Sequence, residues 1–160
     1  MPDSRQFPNR GGGRPGPPPG PPQPGHTPEF DPSRSEVELL DTLAEKQAEH
    51  LDRINSAQLR RFFGEVKDLY RQFEALTAAV TDDGVKKQVY EKRVEPRFKM
   101  LRSKVAYAQR AGGQGKVPAS FAQFLMEGVK KVSDFDQFRK FVMHFEAVVG
   151  FLYGMDKVKS

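Results

Sequence analysis

Apolar side chains recur at intervals of three and four residues through most of the chain after residue 33. In residues 56–80 the recurring positions are Leu59, Phe62, Phe63, Val66, Leu69, Tyr70, Phe73 and Leu76. This spacing places them along one face of an α-helix, and no segment alternates apolar and polar residues for long enough to favour a strand. The sequence therefore predicts an all-α fold, a compact bundle of about five helices.

The same spacing and the residues that favour helix ends define the other helices. The positions predicted to be buried are Val37, Leu40, Ala44, Ala48 and Leu51 in residues 35–53; Phe121, Phe124, Leu125, Val129 and Val132 after Pro118; and Phe135, Phe138, Val142, Phe145, Val149 and Leu152 in residues 133–153. Ser56 and Ser133 are predicted N-caps, because a serine hydroxyl accepts a hydrogen bond from a free N–H of the first turn. Asp82, Asp83 and Gly84 predict a turn after the second helix.

The first 32 residues differ in composition from the rest of the chain. They hold eleven of the thirteen prolines, a run of three glycines and few apolar side chains. Such a segment cannot bury enough apolar surface to offset the entropy lost on ordering. Residues 1–32 are therefore predicted to be a disordered leader, and residues 33–160 a single helical domain.

Positive charge is concentrated in residues 84–116. This stretch holds ten lysines and arginines and only two glutamates, whereas the whole chain has a net charge of +5. Charge concentrated in one segment is typical of a surface that faces a polyanion. The sequence therefore predicts that this stretch contributes a surface for nucleic acid.

Helical spacing divides the basic stretch into three groups of residues. One group shares the face predicted to be buried: Val94, Phe98, Leu101, Val105 and Ala108. A second group forms a stripe along the flank of that face, with two tyrosines close by: Lys86, Arg93, Arg97 and Lys104, beside Tyr90 and Tyr107. A third group is predicted to point into solvent: Lys92, Lys99, Arg102 and Arg110. Flank side chains can cover the edge of the core with their aliphatic stems while their charged ends reach phosphates.

Further features of the sequence bear on this surface. Pro96 removes a backbone donor and clashes with the preceding turn, so the helix is predicted to kink or break near Glu95. Arg60 and Arg61 lie in the first turn of the second helix, where the helix dipole does not favour a cation. Either a carboxylate or a phosphate is expected to hold them. Tyr107 lies near the buried face, which favours core packing over base stacking.

The sequence carries no signature of catalysis or of a metal site. It has no cysteine, and its three histidines, His26, His50 and His144, are not spaced as paired ligands. The glycine-rich residues 111–116 lack the spacing and the hydroxyl of a phosphate-binding loop. We expect no catalytic residue, metal or cofactor, and a protein that is not an enzyme. Without a membrane-length apolar run or a signal peptide, it is expected in the cytoplasm with no membrane partner.

Three runs of residues carry a family resemblance. They are QLRRFF at residues 58–63, KMLRSKVAYAQR at residues 99–110 and FxxFxxxFEAVV at residues 138–149. These runs resemble the small subunit of the type III-A CRISPR effector, the Csm complex. The resemblance covers residues 57–151 and leaves out the leader and the first helix. The sequence departs from the family pattern at Ser103, where the family often has proline, and in the glycine-rich loop after Arg110.

The resemblance implies a non-catalytic helical subunit that is present in several copies. These copies would stack as a filament beside the crRNA-bearing backbone subunits and the large subunit, with a basic surface along the duplex of guide and target RNA. The motifs assign RNA contacts to Arg60, Arg61, Lys104 and Arg110, with Tyr107 packing or stacking. Helical periodicity adds Arg93 and Arg97. Phosphate contacts give affinity without reading sequence, which leaves specificity to base pairing.

Two other functions fit the same residues. A free-standing helical protein would bind nucleic acid without a complex, and its gene would lie apart from CRISPR effector genes. An adaptor would use the proline-rich leader to recruit partners and the basic helices to match an acidic protein surface. Deletion of residues 1–32 would abolish the interactions of an adaptor but would change little in a CRISPR subunit.

Overall fold

The computed structural model describes residues 26–110 and 116–160, and within these ranges the chain is mainly helical. Its elements, in chain order, are α1 (Glu36–Leu40), α2 (Thr42–His50), β1 (Ile54–Asn55), α3 (Ser56–Thr77), α4 (Asp83–Val89), a π-helical turn (Tyr90–Val94), α5 (Glu95–Arg110), α6 (Ala119–Lys131), α7 (Phe135–Gly154) and β2 (Val158–Lys159). α1 meets α2 at Asp41, and α4 continues through the π turn into α5, so the described helices form five rods. The predicted all-α bundle of about five helices is confirmed.

In two of the long helices, the residue that caps the N-terminus is a neighbour of the predicted one. The Asn55 side-chain oxygen accepts a hydrogen bond from the backbone N–H of Ala57 at 2.8 Å, so Asn55 rather than Ser56 caps α3. The Asp134 carboxylate accepts one from a backbone N–H in the first turn of α7 at 2.8 Å, so Asp134 rather than Ser133 caps that helix. At both places two residues that favour N-caps are adjacent, and the pattern alone does not choose between them.

Two other predicted boundaries differ from the structure. The helix predicted over residues 35–53 is divided at Asp41, whose φ of −121° and ψ of −95° are not helical. Leu39 is buried, whereas Val37 is 77% exposed, so the prediction that Val37 lies in the core is wrong. The turn predicted after α3 is the start of α4, which Asp82 caps through its carboxylate.

Where a kink or a break is predicted, near Glu95, the structure has a π turn within a continuous rod. There the N–H of Glu95 bonds to the carbonyl of Tyr90, five residues earlier in the chain. A π turn is wider than an α turn. Pro96 follows directly and has no N–H to place, so the rod accommodates the proline without ending.

The core is centred on α7, whose aromatic rings contact rings of the leader, α3, α5 and α6. The ring centre of Phe141 lies 5.1 Å from that of Phe30, 5.7 Å from that of Phe98 and 5.9 Å from that of Phe124. All the positions predicted for the cores of α6 and α7 are buried or packed against the buried cluster. These predictions are confirmed. In α3, by contrast, Leu76 is exposed.

Part of the predicted leader packs against the bundle. Phe30 is completely buried, and the backbone N–H of Glu29 donates to the side-chain oxygen of Gln47 at 2.7 Å. The folded part of the chain therefore begins before the predicted boundary at residue 33. Residues 1–25, for which disorder is predicted, and residues 111–115 of the glycine-rich connector lie outside the described residues.

Two short strands, which the sequence did not predict, join distant parts of the chain. β1 and β2 pair in parallel, with Ile54 opposite Val158. Two residues are too few for an alternating pattern to be recognised. Just before β2, the Lys157 ammonium donates hydrogen bonds of 2.7–2.9 Å to three carbonyls at the end of α2: Ala48, Glu49 and Leu51.

Among the described helices, none combines the length and apolar character that crossing a bilayer requires.

Candidate nucleic-acid interface

A groove between α3 and α5 collects several charged residues. Its volume is about 460 Å³. From α5 it is lined by Arg97, Met100 and Lys104. From α3 it is lined by Glu65, Asp68, Leu69 and Gln72. Two cations and two carboxylates therefore face one another, and the formal charges of the lining residues balance.

Lys104 is paired inside this groove. Its ammonium lies 3.1 Å from a carboxylate oxygen of Glu65, and both side chains are partly exposed, by 41% and 32%. Such a half-exposed pair stabilises the fold only weakly. It nevertheless means that Lys104, predicted to contact phosphate, is already held by a carboxylate of its own chain.

The predicted arginines are available to a partner. Each of the five is exposed and, in the part of the chain that the structure describes, none lies within 4.0 Å of a carboxylate: Arg60, Arg61, Arg93, Arg97 and Arg110. The Arg61 guanidinium lies 5.2 Å from the centre of the Phe62 ring, a cation–π contact, and the side chain remains exposed. The carboxylate considered as a partner for Arg60 and Arg61 is thus not present among the described residues.

The antiparallel packing of α3 on the α4–α5 rod gathers part of this set at one end. Glu65 pairs with Lys104, whereas Phe73, two turns later in α3, contacts Tyr90 near the start of the rod, with ring centres 6.3 Å apart. The first turns of α3 therefore approach the last turns of α5. Both Arg60 and Arg61 lie in those first turns. Arg61, one turn before Glu65, continues the groove face of α3 beyond Lys104, whereas Arg60 lies about 140° around the helix from Glu65 and points away from the groove.

Tyr107 lies at this same end, and its side chain is 72% exposed. The prediction that Tyr107 packs in the core is therefore wrong. Three residues beyond Lys104, it lies on the groove side of α5, about 140° from the centre of the buried face. An exposed aromatic ring beside unpaired arginines can stack on a base or on a protein partner.

Arg110 and Arg93 lie away from the groove. Arg110 is the last residue of α5 and lies about 140° around the helix from Arg97, on the solvent side. Arg93 lines a separate depression of about 160 Å³ together with Val85, Gln88, Val89 and Lys92. The predicted set is thus spread over one rod and the start of α3, and only part of it converges.

Comparison with known proteins places the chain in a family. The family described as Csm2 Type III-A matches residues 34–153, most of the chain. The chain belongs to this family. No curated protein and no solved structure gives a significant match. Family membership makes the chain a small subunit of the type III-A Csm complex. The match begins at residue 34, so it includes α1 and α2, which the resemblance at residues 57–151 left out.

One lysine of this Csm2-family chain, which the sequence predicts to be exposed to solvent, has a structural role instead. The Lys99 ammonium donates to the carbonyls of Val129 at 2.7 Å and Val132 at 2.6 Å, and so caps the end of α6. Burial lowers the pKa of Lys99. The prediction that Lys99 points into solvent is wrong, because α6 packs across the side of α5 that helical spacing alone leaves open.

One tyrosine of the predicted flank is also internal. Tyr90 is buried against Phe73 and Phe138 in the π turn, and its hydroxyl has no hydrogen-bond partner among the described residues. Burial raises the pKa of this hydroxyl. Tyr90 therefore belongs to the core and is not part of the candidate interface.

The structure also brings together residues that the sequence kept apart. His26, Glu29 and His50 offer ligand atoms within 4.8 Å of one another. No spacing rule could have found this cluster, because its members come from the leader and from α2. Sequence reasoning likewise missed Glu65 and Asp68, since the flank position of a carboxylate on α3 does not reveal which helix it faces.

Proposed function

We propose that this Csm2-family chain is a non-catalytic subunit that holds crRNA and target RNA through phosphate contacts. In this proposal several copies stack as a filament along the backbone subunits and beside the large subunit. The contacts come from Arg61 at the end of the α3–α5 groove, and from Arg60 and Arg110 on the exposed surface beside that end. Arg97 in the groove and Arg93 further along the rod extend the same basic surface.

The observation that carries the proposal is the set of exposed arginines without carboxylate partners among the described residues. Arginines at the start of a helix gain nothing from the helix dipole, whose positive end lies there. Two of them side by side also repel each other, and a phosphate relieves both effects. A guanidinium can donate two parallel hydrogen bonds to one phosphate, which suits a surface that follows a sugar-phosphate chain.

The remaining predicted contacts have different roles in this proposal. Tyr107 stacks on an unpaired base or packs against a ribose at the edge of the RNA, which explains its exposure. Lys104, held by Glu65, keeps α5 in register with α3 and adds a weaker positive field. Phosphate contacts do not distinguish sequences, so the choice of target rests on pairing between the guide and the target.

The proposal is tested by the salt dependence of RNA binding. Removing Arg60 and Arg61 together by alanine substitution should flatten the slope of log affinity against log salt by about 1.4–1.8, since each lost phosphate contact contributes about 0.7–0.9. Binding of the full chain to labelled RNA, followed by fluorescence anisotropy between about 50 and 200 mM salt, measures the slope. Tyr107→Leu should weaken binding at every salt concentration with the slope unchanged, because stacking releases no counterions.

The matched control is Arg102→Ala combined with Lys130→Ala, since neither residue lies within 4.0 Å of a carboxylate among the described residues. It makes the same change in net charge with two exposed residues that lie outside the groove and its ends. An equal change of slope in the two double variants would mean that net charge alone attracts RNA, and would contradict the assigned contacts. Co-purification of the tagged complex with each variant then tests assembly: the arginine variant should enter the complex and retain less RNA.

A further inference from the structure

Outside the basic surface, two histidines and a glutamate converge where the leader meets the end of α2. The imidazole Nε2 of His26 lies 2.6 Å from Oε1 of Glu29. The ring of His50, the last residue of α2, stacks on that of His26 with ring centres 3.5 Å apart and planes inclined by 7°. One ligand atom from each residue lies within 4.8 Å of the other two.

The hydrogen bonds of His50 prepare it to act as a metal ligand. Its Nδ1 lies 2.7 Å from the backbone carbonyl of Lys46, one turn earlier in α2. A carbonyl only accepts, so Nδ1 carries the proton and Nε2 keeps its lone pair. Histidine ligands of metals are typically held in this way through the other ring nitrogen. Lys157 caps the end of α2 next to His50, which fixes the helix end that carries this ligand.

Glu29 supplies the negative charge that a cation would balance. Its side chain is only 12% exposed, and its carboxylate oxygen lies between the His26 ring and the Lys46 ammonium, which is 3.6 Å away. A mostly buried carboxylate needs a positive or donating partner. His26 and a flexible lysine supply that partner in this structure.

We propose that His26, Glu29 and His50 bind a divalent transition-metal ion, with Zn²⁺ as the best match. Two imidazole nitrogens and one carboxylate form a ligand set that zinc accepts, and water completes the tetrahedron. A cavity of about 240 Å³ beside His26 and His50, whose lining includes the polar side chains of Asp52, Ser120 and Gln123, admits that water. The ion ties residues 26–29 to α2 and so fixes the point where the leader joins the bundle.

Binding requires two small movements. Parallel stacked rings direct their lone pairs side by side, so the His26 ring must rotate out of the stack to point at the ion. His26 is an exposed residue with room to turn. The Lys46 ammonium must also leave Glu29, and this exposed side chain can swing into water. Both movements leave the core of the bundle unchanged.

The test uses the untagged full chain and the metal alone. Calorimetric titration with Zn²⁺ and visible absorption with Co²⁺ should show one ion per chain. His26→Ala, His50→Ala and Glu29→Gln should each lose this binding. These side chains lie outside the hydrophobic core, and circular dichroism checks that each variant is folded. Lys46→Met should bind more tightly than the wild type, since it removes the competing cation and keeps the backbone carbonyl that holds His50.

Nitrogen-15 NMR of the imidazoles provides a readout independent of affinity. Zn²⁺ should shift the ring nitrogens of His26 and His50 and leave those of His144, which is buried and bonded to the Leu39 carbonyl, unchanged. The proposal is overturned if the wild type binds neither metal, which would make the cluster a hydrogen-bonded clamp only. It is equally overturned if the His26→Ala/His50→Ala variant binds as well as the wild type.

Discussion

Gly128 lies where α6 packs on α7, and adding one methyl group there tests the packing of the whole bundle. A Cβ atom at this position would lie 2.2 Å from Cε2 of Phe141 and 2.9 Å from its Cδ2 and Cζ. Carbon atoms in contact prefer separations of about 3.5–4.0 Å, so the ring would have to move by about 1 Å or more. The surrounding rings of Phe30, Phe98 and Phe124 leave no space for that movement.

The expected free-energy change follows from two opposing effects. Overpacking a core costs about 1–3 kcal/mol, and the very short contact with Phe141 places Gly128→Ala near 3 kcal/mol. Replacing glycine by alanine inside a helix stabilises it by about 1 kcal/mol. The net result should be a loss of about 2 kcal/mol in the free energy of unfolding. With a urea m-value of about 2 kcal/mol/M, the midpoint should fall by about 1 M.

Urea unfolding followed by far-ultraviolet circular dichroism measures this change. Gly150→Ala in α7 and Gly64→Ala in α3 are the controls, because a Cβ at either position meets no described atom within 4 Å beyond its chain neighbours and the backbone of its own helix. They should raise the midpoint, since only the gain in helix propensity remains. Phe141→Leu should cost less in the Gly128→Ala background than in the wild type. A Gly128→Ala midpoint at or above that of the wild type would refute the assigned packing.

Two further predictions concern stability. Burial lowers the pKa of His144 from 6.5, opposed by its hydrogen bond to the Leu39 carbonyl and by the nearby Glu29. Because the unfolded chain then binds the proton more readily, the free energy of unfolding should fall as pH decreases from about 6.5 towards the lower folded pKa. Urea midpoints measured across this pH range report the decline. His144→Gln should make the midpoint depend less on pH. If the dependence of the midpoint on pH were the same in the variant, His144 would be excluded as its source. Asn55→Ala should lower the free energy of unfolding by about 1 kcal/mol and Ser56→Ala by clearly less; equal losses in urea unfolding would show that Asn55 is not the cap of α3.

Much of the fold could be predicted because helical periodicity is a local property. The apolar spacing in residues 121–132 and 135–152 identified buried faces that the structure confirms. Errors occurred where local rules offer alternatives or where distant contacts intervene. Adjacent capping residues at Asn55 and Ser56 are an example of the first kind. The π turn before Pro96 is another, because a proline in a helix can be accommodated by a break or by a wider turn.

The candidate site could be predicted less well than the fold. Spacing identified the flank of α5 with Arg93 and Arg97, both of which are exposed, since this position depends only on the helix that carries them. It favoured core packing over stacking for Tyr107, although the ring is exposed, because the width of a buried face depends on which helices cover it. It also counted Lys104 among the free cations, although Glu65 holds it from another helix.

The sequence by itself determined most of the helices, most of the apolar residues that they bury and the excess of positive charge in residues 84–116. Only the tertiary structure decided which polar groups meet. Lys104 pairs with Glu65, Lys99 caps the end of α6, and His26 lies on His50, each across a separation that no local pattern spans. The reason is physical: periodicity arises from backbone geometry within a few residues, whereas the environment of a charge is set by whichever helix packs beside it.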